Sequence, residues 1–164
     1  MSDDLADYID ATSEAERVTL LVIGYSGEIK STRLQKMSLI VKAALDGKVP
    51  KTHGAYLFGG YSDDVEEGAE NMRSEGYVAY VSGKGYRLSE DGEEAFKLLC
   101  KKEPKMEKTV KQVTDMLKSL SDKQITAVTY KFFPELAENS IIKEEMERVG
   151  NNLNIQTFKL NNNK

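Results

Sequence analysis

The chain has 164 residues, 40% apolar and 30% charged, enough apolar material for a buried core under a heavily ionised surface. No apolar run approaches the roughly 18–20 residues of a membrane span, and the acidic start MSDDLADYID lacks the basic and apolar segments of a secretory signal. One cysteine, Cys100, one histidine, His53, and a net charge of −4 give no disulfide, little material for a metal site and no global attraction to nucleic acid, so a cytoplasmic chain without cofactor is expected.

Residues 1–12 carry Asp3, Asp4, Asp7 and Asp10, with Leu5, Tyr8 and Ile9 as their apolar edge, and read as an acidic arm, a short or frayed helix. Ser13-Glu14-Ala15-Glu16 is a capping box, in which the serine hydroxyl and the glutamate three residues on satisfy each other's backbone donors. Val18, Leu21, Val22 and Tyr25 follow at helical spacing, and Ser26-Gly27 stops the helix. Glu28-Ile29-Lys30 is a short extended connector. Thr32-Arg33-Leu34-Gln35 repeats the capping pattern and opens a helix with Leu34, Met37, Ile40, Val41, Ala44 and Leu45 inward, ended by Asp46-Gly47 and Pro50. Residues 47–61 are broken by glycines into a loop around a short strand at 55–58.

Ser62 is placed to cap a helix bearing Val65, Ala69 and Met72 on one face, with Gly76 as its C′ residue. Residues 77–81 and 86–88 read as strands joined through Ser82-Gly83-Lys84-Gly85. Ser89 caps a helix through Ala95, Phe96, Leu98 and Leu99, which Pro104 closes. Met106, Val110, Val113, Leu117 and Leu120 then recur at spacings of four and three, a seam that packs on one side. Ser121-Asp122-Lys123-Gln124 caps a shorter helix interrupted by Pro134. Ile141, Ile142, Met146 and Val149 line a last helix, and residues 151–164 read as an asparagine-rich tail whose last residues are expected to be disordered.

Helix, extended piece, helix, long connection, helix, hairpin and helix is an α+β order. Its segment GYVAYVSGKGYRLSEDGEEAF resembles the wing and following helix of winged helix-turn-helix regulators. Their strand, glycine turn, Y-x-L-S/T strand end and later glycine are matched by Tyr86, Leu88, Ser89 and Gly92. RLQKM (residues 33–37) and FGGYSDDVEE (residues 58–67) are similar to the Panacea antitoxin domain and to related archaeal winged-helix-like families. The resemblance implies a winged-helix domain over 13–103 with a two-stranded wing, followed by a helical extension over 104–150. It also implies a non-catalytic regulator whose third core helix enters the major groove while the wing touches the backbone.

The residues themselves give little support to an enzyme. Gly24 to Ser31 has the Gly, Lys and Ser of a phosphate loop, but Ile29 stands where its second glycine belongs and no strand precedes it. Cys100 and His53 lack a third orienting group, and the carboxylates at 63–67 lack calcium-loop spacing. The expected third helix, residues 62–75, carries six carboxylates against Arg73 and would repel phosphates. Contact with duplex DNA is therefore expected from Lys30, Arg33, Lys36, Lys84 and Arg87. The alternative is a basic protein partner docked on Asp63, Asp64, Glu66, Glu67 and Glu70. The seam from Met106 to Leu120 is expected to pair two chains in a homodimer, with a cap on its own domain as the other possibility.

Overall fold

Each serine read as a helix start stands at one. The structure, a computed structural model, describes residues 2–48, 54–56 and 59–153, so Pro50, His53 and the end of the asparagine-rich tail lie outside the described residues. Helix α1 (Ser2–Ala11) precedes the box at Ser13, whose hydroxyl accepts from the Glu16 N–H at 3.1 Å while the Glu16 carboxylate accepts from the Ser13 N–H at 3.0 Å. Helix α2 (Glu14–Ser26) follows, then β1 (Glu28–Ile29) and α3 (Ser31–Asp46). A pair of short antiparallel strands, β2 (Gly54–Tyr56) and β3 (Gly59–Tyr61), occupies the region expected as a loop around one strand.

Helix α4 (Asp63–Ser74) ends in a Schellman motif. Gly76, at φ +88°, lets the Tyr77 N–H reach Met72 O at 2.9 Å and its own N–H reach Arg73 O at 3.1 Å. The expected hairpin follows as β4 (Val78–Val81) and β5 (Gly85–Leu88), in antiparallel register from Val78 opposite Leu88 to Val81 opposite Gly85. β1 adds to the other side of β5, giving the strand order β1–β5–β4. Tyr86 turns inward and donates to Glu70 at 2.8 Å. Ser89 caps α5 (Glu90–Lys102) by accepting from the Gly92 N–H at 3.1 Å and ties the hairpin back by donating to Gly76 O at 2.5 Å. A Cβ on Gly92 would stand 1.9 Å from Tyr77 O, so the spacing from Tyr86 to Gly92 is a packing requirement.

Three expectations need correction. Residues 1–12 hold the short helix α1, one of the two forms expected, and are no frayed arm, because Ile9 is 1% exposed and Tyr8 stacks on Tyr77 with ring centroids 4.0 Å apart. Thr32 does not cap α3. Pairing of β1 with β5 holds the chain extended up to Lys30, which becomes the N-cap residue without a side-chain bond, and Gln35 is used elsewhere. Residues 104–150 are no appendage. Helix α6 (Pro104–Leu117) packs against α2, α3 and α5, and α7 (Asp122–Phe132) packs against α3 and β3. Val110, Val113, Leu117, Ile125 and Val128 share one apolar cluster with Leu20, Leu39 and Leu99.

The seam expected to pair two chains is thereby consumed within one. Val110, Val113 and Leu117 are at most 5% exposed, and Met106 and Leu120 pack against the same cluster. At about 25 cal/mol per Å² of apolar area, Val110, Val113 and Leu117, already removed from water, have little left to gain from a second chain. A short 3-10 turn (Pro134–Leu136) and α8 (Lys143–Asn151) close the described chain. Met146 is buried against Ala127 and Tyr130 of α7, but Ile141 precedes α8 and is exposed. The described residues thus form a mostly helical fold of eight α-helices around a small antiparallel sheet, compatible with an α+β class. Among them no helix is long and apolar enough to cross a membrane.

Candidate nucleic-acid interface

β1, the turn between β4 and β5 and the end of α6 surround a groove of about 550 Å³. Lys30, Arg33 and Lys84, read separately from the sequence, all line it, and Lys118 joins them from the end of α6. The fold explains the convergence. Adding β1 to β5 brings Lys30 beside the hairpin, and the antiparallel return from Val81 to Gly85 carries Lys84 at its tip. Arg87 lies just outside the lining, cross-strand from Glu28 on the exposed side of β5. Glu28, Asp115 and Asp122 also line the groove, so its charge is mixed.

The five expected cations differ in what they are free to do. Lys30, Lys84 and Arg87 are exposed, as is Lys118, and among the described residues none of the four forms an ion pair. Arg33 is spent internally: its guanidinium bonds Asp122 at 2.9 Å, Leu120 O at 2.8 Å and Leu117 O at 3.2 Å. Leu117 O is the last carbonyl of α6, where a cation also complements the helix dipole, and Leu120 O lies in the turn before α7. Arg33 therefore clamps α6 and the start of α7 onto α3.

Lys36 is not a phosphate contact. It is 3% exposed, its Nζ donates to Gly60 O at 2.8 Å, and burial pulls its ammonium down to about 8 from the ordinary lysine value. Its neighbour Gln35 donates to Ser62 O and accepts from the Ser62 N–H, both at 2.9 Å. Together the two side chains fix residues 60–62 and set where α4 begins. Ser62 does stand at the N-cap of α4, but its hydroxyl makes no capping bond. Residues 34–41 of α3 are buried without interruption, and a helix covered on every side leaves no solvent for the polar residues inside that span.

The acidic side chains of α4 divide similarly. Glu70 accepts from Tyr86 and from Arg73, and Glu66 accepts from Tyr61, so both belong to the fold. Asp63, Asp64 and Glu67 are exposed. Arg73 is paired with Glu70 and lies 5.6 Å from the Tyr80 ring centre. The outer face of α4 is left negative. Cys100 is half-buried near the end of α5, its Sγ 4.0 Å from the Tyr25 hydroxyl, and burial pushes the thiol up, away from the reactive thiolate. Tyr25 in turn donates to Glu107 at 2.5 Å, a bond from α2 to α6.

Lys118 and Gln35 are the residues that sequence reasoning missed. The first was visible only as one of several lysines beside the seam, because nothing local shows that the end of α6 meets β1 and the hairpin turn. No protein-family model matches this chain, and no curated protein or solved structure matches it.

Proposed function

We propose that this chain is a non-catalytic winged-helix regulatory module that holds duplex DNA by its phosphates along the groove between β1, the hairpin turn and the end of α6. The observation that carries this reading is the gathering of Lys30, Lys84 and Lys118 from three separate elements into one groove, with Arg87 at its edge. Around it, helix, strand, two helices and hairpin with the strand order β1–β5–β4 support a winged arrangement in which β4 and β5 are the wing and α4 is the third helix. The negative outer face of α4 argues that this helix stays out of the major groove and that the wing side leads. Such contacts position a duplex without reading its bases, so affinity depends on salt more than on sequence.

A titration of random-sequence duplex by fluorescence anisotropy, at low and at moderate salt, tests this. The expected result is binding at low salt that falls steeply as salt rises. No binding at low salt would refute it. A second reading is favoured by the exposure of Asp63, Asp64 and Glu67, a surface that suits a basic protein partner. In that case duplex binding is absent, and substitutions on α4, not in the groove, abolish the association.

A further inference from the structure

A second cavity, of about 360 Å³, opens where the start of α2, the middle of α3 and the first half of α4 meet. Its volume falls within the range of small-molecule sites. Ala15, Val18, Val65 and Gly68 supply an apolar part of its wall. Glu14, Glu16, Asp64 and Glu67 line it with Lys42 as the opposing cation. Lys42 is already committed, since it pairs with Glu14 and with Asp46 at 3.4 Å. Glu16 is held in the capping box at Ser13. Asp64 and Glu67 remain, and among the described residues neither has an ion-pair partner.

Two further groups in the same wall are unsatisfied. Ser38 and Ser62 both line the cavity, both are 1% exposed, and the Oγ of each has no hydrogen-bond partner. A buried hydroxyl without a partner is costly, and two beside one cavity mark a place where a polar ligand supplies what the protein does not. The lining also says what kind of ligand. Its excess of carboxylates calls for positive charge, and its hydroxyls accept as well as donate. The carboxylates do not converge on a point, because among the described residues no group of three or more metal-ligating side chains is close enough to hold an ion. Separated charges along a partly apolar wall fit separated ammonium groups on a methylene chain better than one divalent ion.

We propose that this cavity binds a small aliphatic amine carrying two or more ammonium groups. The ammonium groups pair with Asp64 and Glu67, a further amine bonds the Ser38 and Ser62 hydroxyls, and the methylenes lie along Val18 and Val65. The site is on the α2–α4 side of the molecule and shares no lining residue with the basic groove, so it stands whether or not the groove binds DNA.

Isothermal titration of the full chain with spermidine, in about 0.15 M salt to screen exposed charge, is the direct test. Saturable binding of one equivalent is expected. The double substitution Asp64→Asn with Glu67→Gln, both exposed positions, should weaken it at least about tenfold. Ser38→Ala supplies a second readout that mere structural damage would not produce. It should raise the melting temperature of the free protein, because an unpartnered hydroxyl is gone, while lowering the affinity for spermidine. Absence of saturable heat, equal affinity in the double variant, or full competition by an equal concentration of magnesium would each overturn the assignment.

Discussion

Replacing Lys36 by Met removes the one buried ammonium that sequence reasoning had placed on the surface, and the structure says how stability should respond to pH. In the folded chain this group titrates near 8, and once unfolded it returns to about 10.5. Below pH 8 it is charged in both states, so the cost of burying the charge is present in full. Between pH 8 and 10.5 the folded chain has lost a proton that the unfolded chain still holds, and stability therefore rises with pH. At about 1.4 kcal/mol per pKa unit the whole effect comes to about 3.5 kcal/mol, of which roughly 2 kcal/mol develops between pH 7.5 and 9.5. Tyr8, Tyr25 and Tyr86 work in the opposite sense. Burial raises each of them above its unfolded value of 10.0, so they lower stability only as the unfolded chain ionises near and above pH 10. The thiol of Cys100, also raised by burial, acts in the same direction from about pH 9, and the variant shares it.

Urea unfolding of wild type and Lys36→Met across that window isolates the lysine, since the other groups cancel in the difference. The wild type should gain about 2 kcal/mol on the variant as pH rises from 7.5 to 9.5. Parallel pH profiles for the two proteins would show that Lys36 is solvated and that its bond to Gly60 O does not hold the start of α4.

Other substitutions test neighbouring parts of the account. Gln35→Leu leaves the buried N–H of Ser62 unpaired, while Ser62 O keeps the Glu66 N–H at 3.3 Å, and should cost about 1–3 kcal/mol by urea unfolding, whereas Gln35→Glu should restore the half that accepts. Leu117→Ala should cost about 2–5 kcal/mol without changing the sedimentation coefficient, and charging Val113 and Leu117 together should unfold the chain and leave no folded monomer, as judged by circular dichroism. Gly92→Ala forces a Cβ against Tyr77 O and should lower stability by about 2 kcal/mol or more, with hydrogen exchange accelerated in β4 and β5.

Local chemistry was legible in the sequence, and tertiary commitment was not. The boxes at Ser13 and Ser121, the Gly76 helix end and the hairpin with its Ser89 cap each depend on residues within a few positions of one another, and each forms. The Thr32 box fails because β1 pairs with a strand some sixty residues away and sets the helix start two residues early. Lys36 and Arg33 looked like surface bases because their partners, Gly60 O, Asp122 and the end of α6, are remote in sequence. The seam was correctly apolar, but periodicity alone does not say whether a stripe meets its own chain or another copy. Of the expected DNA contacts, Lys30, Lys84 and Arg87 keep their free charge, and Lys118 joined them only when the fold was seen.

The central claim is that these free cations, and not α4, meet the phosphates, and the salt slope of duplex binding in paired variants measures it most directly. Three or four contacts at about 0.9 per phosphate give a wild-type slope of log K against log salt near −3. Lys30→Glu and Lys84→Glu should each make that slope shallower by about one unit, while Asp63→Asn on α4 should leave it unchanged. Wild-type slopes in both groove variants, with a change confined to the α4 variant, would contradict the account and place the contact on the acidic helix.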